Sequence, residues 1–451
     1  MRDRSGGAPG GVSSLFRGGF WLSLYCLLLL LPILVLSSGL GPRGGSGWWF
    51  DFSMGVGFAA LGIMGGQFLL TARFRRAMAP FGIDVIYVFH RWLAVVGLIL
   101  IVGHYLILKT LHPGALGPAW PGAAPWHMTA GRLALAFFAL LVGTSLWRKL
   151  LQLEYDHWRL VHAALATGAI VLSVVHVRGV AYYSANPWSG FLLDLFVATL
   201  LLVVVHVRIV KPLLLSGRRW TVTEVVRRTP DSWSLRLRPE AHGGIRFQPG
   251  QFGWLSLGVA PWRAKEHPFS FSGSAERSDA LEFTIRELGD FTSHVGGTPE
   301  GTIAYVDGPH GSFSPDRHPR ASGFIFVAGG IGIAPIMSIL RTLADRSDRR
   351  PCWLVYGNRD REHALFFEEL TKLEEALRLE VVHVLREPHP GWDGATGLPD
   401  ARQIARVARD APDGTHCFLC GPVPLTDMAE RALHGAGIPL RRIHVELFDM
   451  A

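Results

Sequence analysis

The chain has 451 residues, 49% of them hydrophobic, and a formal charge of +8. This length excludes a single ordinary domain. The excess arginines flank long apolar runs, so membrane topology explains the charge and no nucleic-acid partner is expected. With only four cysteines the composition excludes a disulfide framework, and the soluble half is expected to face a reducing cytoplasm.

The first half of the chain predicts a six-helix transmembrane bundle over residues 17–215. Each apolar run is long enough to cross the roughly 30 Å hydrocarbon core of a bilayer. The runs lie at residues 18–39, 51–72, 84–109, 130–148, 158–182 and 189–211. A signal peptide is the alternative for the first run, but the run is longer than a usual signal core and no A-x-A cleavage site stands out.

Basic residues give these spans a direction. Arginine and lysine cluster before the first span and in every second connection, whereas the other loops are rich in Gly, Pro and Trp. Because positive charge stays on the cytoplasmic side, both termini are expected in the cytoplasm, with residues 1–16 as an N-terminal tail. The predicted location is the cell (inner) membrane, with lipid around the bundle.

Four histidines lie in the predicted spans at a matched spacing. His90 and His104 are fourteen residues apart in the third span, and His162 and His176 repeat this spacing in the fifth. Fourteen residues advance a helix by about 21 Å and bring both side chains within about 40° of one face. Since the two spans run in the same direction, His90 can level with His162, and His104 with His176.

Such pairs suit two six-coordinate b-type haems, because each haem needs an imidazole on both faces. The alternative is that each histidine is hydrogen-bonded across the bundle. Arg178 follows His176 by two residues. It is a candidate for binding a haem propionate or an anionic product, or it is a snorkelling arginine at a helix end.

The second half predicts two further domains. Alternating apolar and polar residues predict strands over 217–240 and near 252–258, 269–273, 281–287 and 302–307, so an antiparallel β-barrel is expected over 216–318. Strands that alternate with helices over 323–445 predict an α/β domain with a parallel sheet over 319–451. Cys417 and Cys420 form C-x-x-C without a second pair, which favours a buried strand over a zinc site.

Two motifs in the barrel region suit a flavin. In "HPFSFSG", which starts at His267, an aromatic residue stands between hydroxyls and could cover a flavin ring, although a half-buried strand shows the same alternation. In "IRELGDFTSHV", Arg286 ends a strand, and Gly289 to Ser293 form a turn into a helix N-terminus. Arginine, N–H groups and the Thr292 hydroxyl suit a pyrophosphate there, while a capped helix is the alternative.

The segment "GFIFVAGGIGIAPIMSIL" suits a dinucleotide. Gly329, Gly330 and Gly332 stand between a short strand and an apolar helix, where they permit close backbone approach to a phosphate. Pro335 stands where the third glycine of the G-x-G-x-x-G fingerprint would be, so that fingerprint is not met. In "CWLVYGNRD", Arg359 is available to a ribose phosphate or is a solvated loop residue.

In this order the motifs resemble known families. The soluble half, 218–451, resembles ferredoxin–NADP reductase-type modules through "HPFSFSG", "IRELGDFTSHV", "DGPHGSF", "AGGIGIAP", "YGNRD", "CGP" and "ELFDM". The six spans with paired histidines resemble the ferric-reductase-like transmembrane domain. Together they resemble NADPH oxidases, most closely the short bacterial type.

The resemblance implies which residues contact each cofactor. FAD would be bound by the motif residues His267, Pro268, Phe269, Ser270 and Ser272, with Arg286, Gly289 and Thr292 near its pyrophosphate. NADPH (or NADH) would lie against Gly330, Gly332 and Pro335, with Cys420 and Gly421 near the nicotinamide. Phe448 resembles the C-terminal aromatic residue that covers the other face of the flavin.

The resemblance also implies an activity. Electrons from cytoplasmic NAD(P)H would pass through FAD and two haems b to dioxygen on the outer face and produce superoxide. The same chain of cofactors would suit a ferric-chelate reductase or a donor to a periplasmic partner protein, and a haem-binding channel is the non-enzymatic alternative. No EF-hand pattern is present, so no obligatory cytosolic activator is expected.

Overall fold

A computed structural model describes residues 19–20, 22–23, 25–27, 29–34, 47–72, 83–120, 122–184, 186–263, 265–277 and 279–447. The chain divides into two units, Met1–Lys211 and Pro212–Ala451. They are called the membrane unit and the reductase unit below, and each is described by itself.

Helices make up the described part of the membrane unit. They are α1 (Trp48–Thr71), α2 (Ile83–Leu111), the short α3 (Pro113–Leu116), α4 (Trp126–Leu146), α5 (Tyr155–Val180) and α6 (Pro187–Val205), which continues through a π turn at His206–Val210 into α7 (Lys211–Ser216). Five spans, α1, α2, α4, α5 and the continuous run Pro187–Ser216, are long and apolar enough to cross a membrane.

These helices account for five of the six predicted spans. The first prediction, at 18–39, lies only partly within the described residues, where a shorter apolar helix runs over Tyr25–Leu34. The count of six therefore stays a prediction.

The membrane unit is apolar on the outside as well as in its core. Phe58, Phe138 and Phe196 are buried between the helices, whereas Ile99 is 64% exposed and Leu202 is 69% exposed. Leaving one such aliphatic side chain in water costs about 1.5–3 kcal/mol relative to burying it. A bundle that is apolar on every side is stable where lipid, and not water, covers its surface.

The first part of the reductase unit is an antiparallel sheet. Its strands are β1 (Trp220–Thr229), β2 (Ser232–Pro239), β3 (Phe252–Leu257), β4 (His267–Ser270), β5 (Leu281–Arg286) and β6 (Ile303–His310), in the order β4-β3-β6-β1-β2-β5. Phe271, the residue after β4, forms an isolated antiparallel bridge with Phe283 of β5. The antiparallel prediction is confirmed, while the closed barrel stays a prediction.

The second part is a six-stranded parallel sheet, as predicted. Its strands are β7 (Phe324–Gly329), β8 (Cys352–Asn358), β9 (Leu379–Leu385), β10 (Ala395–Thr396), β11 (His416–Cys420) and β12 (Ile443–Glu446), in the order β10-β9-β8-β7-β11-β12. Helices α8 (Ile333–Asp345) and α9 (Phe367–Ala376) contribute to the core on one face, and α10 (Ala401–Asp410) and α11 (Val423–Gly435) to the core on the other. Because all strands are parallel, their carboxyl ends meet at one edge, where ligands bind in open α/β sheets.

Candidate functional site

The inner histidine pair lies on α2 and α5. The ring centres of His90 and His162 are 6.3 Å apart. Two imidazoles on opposite sides of one metal, with metal–nitrogen bonds of about 2.0–2.1 Å, have ring centres roughly 6.4 Å apart. At this separation His90 and His162 would be able to hold one haem between them.

Hydrogen bonding leaves ring nitrogens of this pair available. Ser145 on α4 donates its hydroxyl hydrogen to the Leu141 carbonyl at 2.6 Å, so its oxygen can accept from Nδ1 of His162 at 3.2 Å. The buried Nδ1 of His90 has no hydrogen-bond partner among the described residues. An unpaired buried imidazole nitrogen is costly, which suits a site built for a ligand.

The outer pair shows the same arrangement in a clearer form. Nδ1 of His104 donates to the Ser53 carbonyl on α1 at 2.8 Å, and Nδ1 of His176 donates to the His127 carbonyl on α4 at 3.0 Å. A hydrogen bond from one ring nitrogen to a carbonyl fixes the tautomer and leaves the other nitrogen to bind a metal. Both rings line one largely apolar cavity, shared with Phe58, Leu108, Tyr183 and other residues.

Two glycines let neighbouring helices approach these rings. A Cβ at Gly57 would lie 3.1 Å from Nδ1 of His104, and a Cβ at Gly131 would lie 2.8 Å from Nδ1 of His176. Gly57 is one turn from Ser53 on α1, and Gly131 is one turn from His127 on α4. Helices α1 and α4 thus each contribute a carbonyl that accepts a hydrogen bond from one outer histidine and a glycine that leaves room for its ring.

Two arginines of the membrane unit have polar partners within that unit. Nη2 of Arg178 lies 2.6 Å from Oδ2 of Asp194, so this guanidinium has an ion-pair partner on α6. Arg132, which the sequence analysis did not single out, lines the cavity of the outer pair and donates to the carbonyls of Leu116 and Pro118. Its neighbours are more than a dozen residues away along the chain, so no local pattern marked it.

In the reductase unit, the first motif forms an aromatic cluster on β4. The rings of His267 and Phe269 stack near Phe291, with centroid separations of 4.1 Å and 5.9 Å, and Pro268 lies between them on the strand. The serines after them face inward. Ser270 is buried, and the buried Ser272 hydroxyl accepts from Thr284 Oγ1 at 2.9 Å.

The second motif is held by local hydrogen bonds. Nε of Arg286 donates to Oδ2 of Asp231 at 2.7 Å. The Thr292 hydroxyl oxygen accepts from the N–H groups of Leu288 and Gly289 at 2.8 and 2.9 Å. The helix predicted after this turn is a short 3-10 helix, Thr292–Gly297. The side chain of its first residue, Thr292, is hydrogen-bonded to the backbone of the preceding turn.

The glycines of the third motif meet the ends of β7 and β11. A Cβ at Gly332 would lie 2.2 Å from the Cys420 carbonyl oxygen, and a Cβ at Gly421 would lie 3.0 Å from the Gly329 nitrogen. Gly330 has φ +53°, and a Cβ at this position would lie 3.7 Å from Nη1 of Arg286. The structure therefore brings the predicted pyrophosphate arginine to the predicted dinucleotide loop, at the carboxyl edge of the parallel sheet.

Helix α8 begins directly after these glycines. Pro335 is its third residue and is buried, and the Tyr356 hydroxyl donates to the Gly330 carbonyl at 3.2 Å. Burial, together with the Glu446 charge, raises the pKa of the Cys420 thiol well above its usual value, so this thiol stays protonated. Arg359 is exposed and paired with Glu387 at 3.0 Å. Phe448 lies outside the described residues.

A buried ionic network holds α8 against the antiparallel sheet. Nη1 of Arg341 donates to Oε1 of Glu282 and to the Ser272 carbonyl, both at 2.8 Å, and Nε of Arg341 donates to Glu369 at 2.6 Å. Ser338 on the same helix donates to the Gly273 carbonyl at 2.7 Å. The residues that follow β4 are thus fixed relative to the glycine loop.

Comparison with known proteins adds to this picture. A family model described as a ferric reductase like transmembrane component matches residues 56–173, and one described as an oxidoreductase NAD-binding domain matches residues 326–431. The first match contains His90, His104 and His162 and ends three residues before His176.

Relatives were also found for half of the chain. The ferredoxin reductase component of 3-ketosteroid-9-alpha-monooxygenase from Rhodococcus rhodochrous is 32% identical over 51% of this chain and 64% of its own length. The reductase component of propane 2-monooxygenase from Mycolicibacterium goodii is 30% identical over 51% of this chain and 67% of its own length. A solved structure, the ferredoxin reductase in carbazole 1,9a-dioxygenase, is 25% identical, with a TM-score of 0.44 over 51% of this chain and 69% of its own.

The chain therefore carries a ferric reductase-like transmembrane domain, and its second half belongs to the ferredoxin reductase-type family. It covers slightly less than two thirds of the first relative's length. The membership makes this chain a membrane oxidoreductase, and it supports binding of FAD and NAD(P)H by the reductase unit.

Proposed function

We propose that the protein is an NAD(P)H oxidase. It takes electrons from NAD(P)H in the cytoplasm and delivers them to dioxygen on the outer face of the inner membrane, producing superoxide. Both termini lie in the cytoplasm in this proposal. When bound, FAD supplies the conversion of a two-electron hydride donor into single electrons, and two b-type haems supply a path for single electrons through the lipid.

The observation that carries the proposal is the pairing of four histidines on two helices. His90 and His162 have a ring separation that suits two axial ligands, and His104 and His176 line one cavity about 21 Å further along the same helices. A metal bound directly by all four side chains is excluded by that distance. Two sites, one toward each membrane surface, are the arrangement that a relay across the bilayer requires.

Residues of α1 and α4 keep the outer histidines ready to bind. The carbonyls of Ser53 and His127 accept from Nδ1 of His104 and His176, so Nε2 of each ring is left as the ligand atom. His104 and His176 would together hold the outer haem, so the acceptor would find no open position on it. That arrangement favours electron transfer to dioxygen over its binding.

Residues of the reductase unit bind and orient the electron donor. The glycine loop between β7 and α8 lets the pyrophosphate of NAD(P)H approach backbone N–H groups, and Arg286, close to Gly330, supplies positive charge to the pyrophosphate of FAD. His267 and Phe269 provide an aromatic surface for the flavin. Cys420 and Gly421 lie against Gly332 and Gly329, next to the proposed nicotinamide position. Phe448 is proposed to cover the flavin from the other side.

A ferric-chelate reductase is the second candidate. The family model that matches the membrane unit is described as ferric reductase like, and the proposed sequence of cofactors is the same up to the final acceptor. The two functions differ only in the molecule that accepts electrons from the outer haem, which is dioxygen in one case and a ferric chelate in the other.

Haem content tests the pairing. The purified full-length protein, produced with ample porphyrin, should show a reduced-minus-oxidised b-type spectrum with about two haems per chain. His104→Leu should remove about half of this haem. His112→Leu is the matched control, because His112 precedes the short helix α3 and packs on Phe50 without lining the cavity. Full haem in His104→Leu would contradict the pairing.

Acceptor assays test the reaction. NADPH-dependent cytochrome c reduction by the wild-type protein should be suppressed by superoxide dismutase. Reduction that persists with dismutase, together with rapid turnover of a ferric chelate under argon, would support the ferric-chelate reductase instead. A protein that purifies with haem but without FAD would contradict both enzymes.

A further inference from the structure

Three histidines of the reductase unit converge at a place that the proposed electron path does not use. His318 follows the 3-10 helix Pro315–Arg317, His416 is the first residue of β11, and His444 is the second residue of β12. One ring nitrogen from each lies within 4.8 Å of the others. They are 98 and 28 residues apart along the chain, so only the tertiary fold brings them together.

The cluster stands at the opposite end of the sheet from the glycine loop. His416 pairs with Phe324 at the start of β7, whereas Cys420 pairs with Ala328 near its end. At about 3.3 Å per residue, His416 lies roughly 13 Å from Cys420 along the strand. A ligand held by the three histidines would therefore not occupy the nucleotide position.

The side chains bring three imidazole nitrogens close enough together to share one metal ion. Nδ1 of His416 lies 3.0 Å from Nε2 of His444, and the His318 ring stacks on both at centroid distances of 4.2 and 4.3 Å. All three are half-buried. Burial first, and neighbouring charges second, lower the pKa of His416 to about 4 and that of His444 to about 3, so both rings are uncharged at neutral pH.

We propose that His318, His416 and His444 bind one divalent transition-metal ion of the zinc class. Three imidazole nitrogens with a fourth position for water suit Zn²⁺ and its neighbours, whereas Ca²⁺ and Mg²⁺ prefer oxygen ligands. The ion joins the edge strand β12 to β11 and to the segment before β7. Because β12 pairs with one strand only, such a clamp stabilises the last strand of the described chain.

The nitrogen spacing suits one ion, but the rings must turn to bind it, because the three rings are stacked nearly parallel and each lone pair lies in its ring plane. Zinc–nitrogen bonds of about 2.0–2.1 Å place tetrahedral ligand atoms roughly 3.4 Å apart. The His416–His444 pair is already at 3.0 Å, and the ion replaces the hydrogen bond that these two rings share. The positive charges of Arg317 and Arg442 lie close enough to affect the histidines, so a weakly bound cation is disfavoured and a directional nitrogen–metal bond is required.

Zinc analysis of the full-length protein tests the site. The protein carries no polyhistidine tag, is stripped with a chelator, is loaded with Zn²⁺ alone and is passed through gel filtration before elemental analysis. The wild type should retain one zinc per chain more than His318→Gln or His416→Gln. The affinity of each variant for Zn²⁺ should be lower than that of the wild type by at least about 10–100-fold. His434→Gln is the matched control, because His434 is an exposed histidine of α11 in the same unit.

Equal zinc in the wild type and both site variants would overturn the proposal, as would an equal loss in His434→Gln. Because His416 belongs to a central strand, each variant is first checked for an unchanged thermal unfolding midpoint without metal. X-ray absorption of the zinc-loaded wild type needs no variant and should show three imidazole nitrogens at about 2.0–2.1 Å. Fewer than two imidazoles would also overturn the proposal. These outcomes do not depend on the haem pairs or on the acceptor.

Discussion

An added methyl group at Gly131 should cost the outer histidine pair its cofactor. The new Cβ would lie 2.8 Å from Nδ1 and 2.9 Å from Cγ of His176, where ordinary contact begins at 3.4 Å. The ring must therefore move by about 0.6 Å, because α4 and α5 are packed against each other and close-packed interiors resist backbone shifts.

A displacement of this size exceeds what a metal ligand tolerates. Ligand distances in metal sites hold to within about 0.2 Å. The bond from Nδ1 of His176 to the His127 carbonyl, now 3.0 Å, would lengthen as well. Loss of such a supporting bond alone lowers metal affinity by about 10–100-fold. Gly131→Ala should therefore fall from about two haems per chain to about one.

Pyridine haemochrome analysis of the purified protein measures this ratio. Gly103→Ala is the matched control, because Gly103 precedes His104 on α2 and a Cβ there meets nothing within 4 Å. NAD(P)H-dependent ferricyanide reduction, which needs only the reductase unit, should stay unchanged in both variants and shows that the chain is folded. Full haem in Gly131→Ala, or the same loss in Gly103→Ala, would refute the reasoning.

Three further predictions concern the reductase unit. Gly332→Ala should abolish NAD(P)H-dependent ferricyanide reduction, because its Cβ would lie 2.2 Å from the Cys420 carbonyl oxygen, whereas Gly435→Ala, which meets nothing within 4 Å, should leave the activity unchanged. Arg341→Met should lower the thermal unfolding midpoint of the reductase unit, because it leaves Glu282 buried without its main partner, a loss of about 3–5 kcal/mol. Burial by itself raises the pKa of Glu282, but Arg341 and its neighbours outweigh it and the pKa lies below 4.5 in the folded state. The carboxylate of Glu282 therefore stabilises the wild type above about pH 4.5, and this stabilisation is lost as the pH falls through the folded-state pKa. Thermal unfolding midpoints of the wild type, measured against pH, should show this loss. The midpoints of Arg341→Met should not show it. An unchanged midpoint in Arg341→Met at neutral pH would contradict both statements.

The membrane helices were predictable because their signal is local. Apolar runs of this length have one stable arrangement in lipid, and the predicted starts and ends of the five confirmed spans lie within a few residues of the observed ones. The spacing of His90 and His104, and of His162 and His176, follows from the helical repeat. Ser53, Gly57 and Gly131 could not be predicted, since nothing in their own segments marks them as partners of a distant ring.

In the reductase unit the order of strands and helices was predictable, but the partners of single residues were not. The alternation in 217–240 corresponds to β1 and β2, and the glycine segment does lie between β7 and α8. Thr292, however, accepts hydrogen bonds from its own turn, and Arg359 is paired with Glu387, 28 residues away. The Arg359–Glu387 pair depends on how β8 and β9 lie side by side.

By itself, the sequence determined that this protein has a membrane half with two matched histidine pairs and a soluble half with flavin and dinucleotide motifs. Hydropathy, helical periodicity and turn residues act over a few to about twenty residues, so they can be read along the chain. Only the tertiary structure decided which carbonyl holds each outer histidine, that Arg286 lies beside Gly330, and that His318, His416 and His444 form one cluster. Those contacts join segments far apart in sequence, and they arise because packing and sheet register bring the segments together at specific positions.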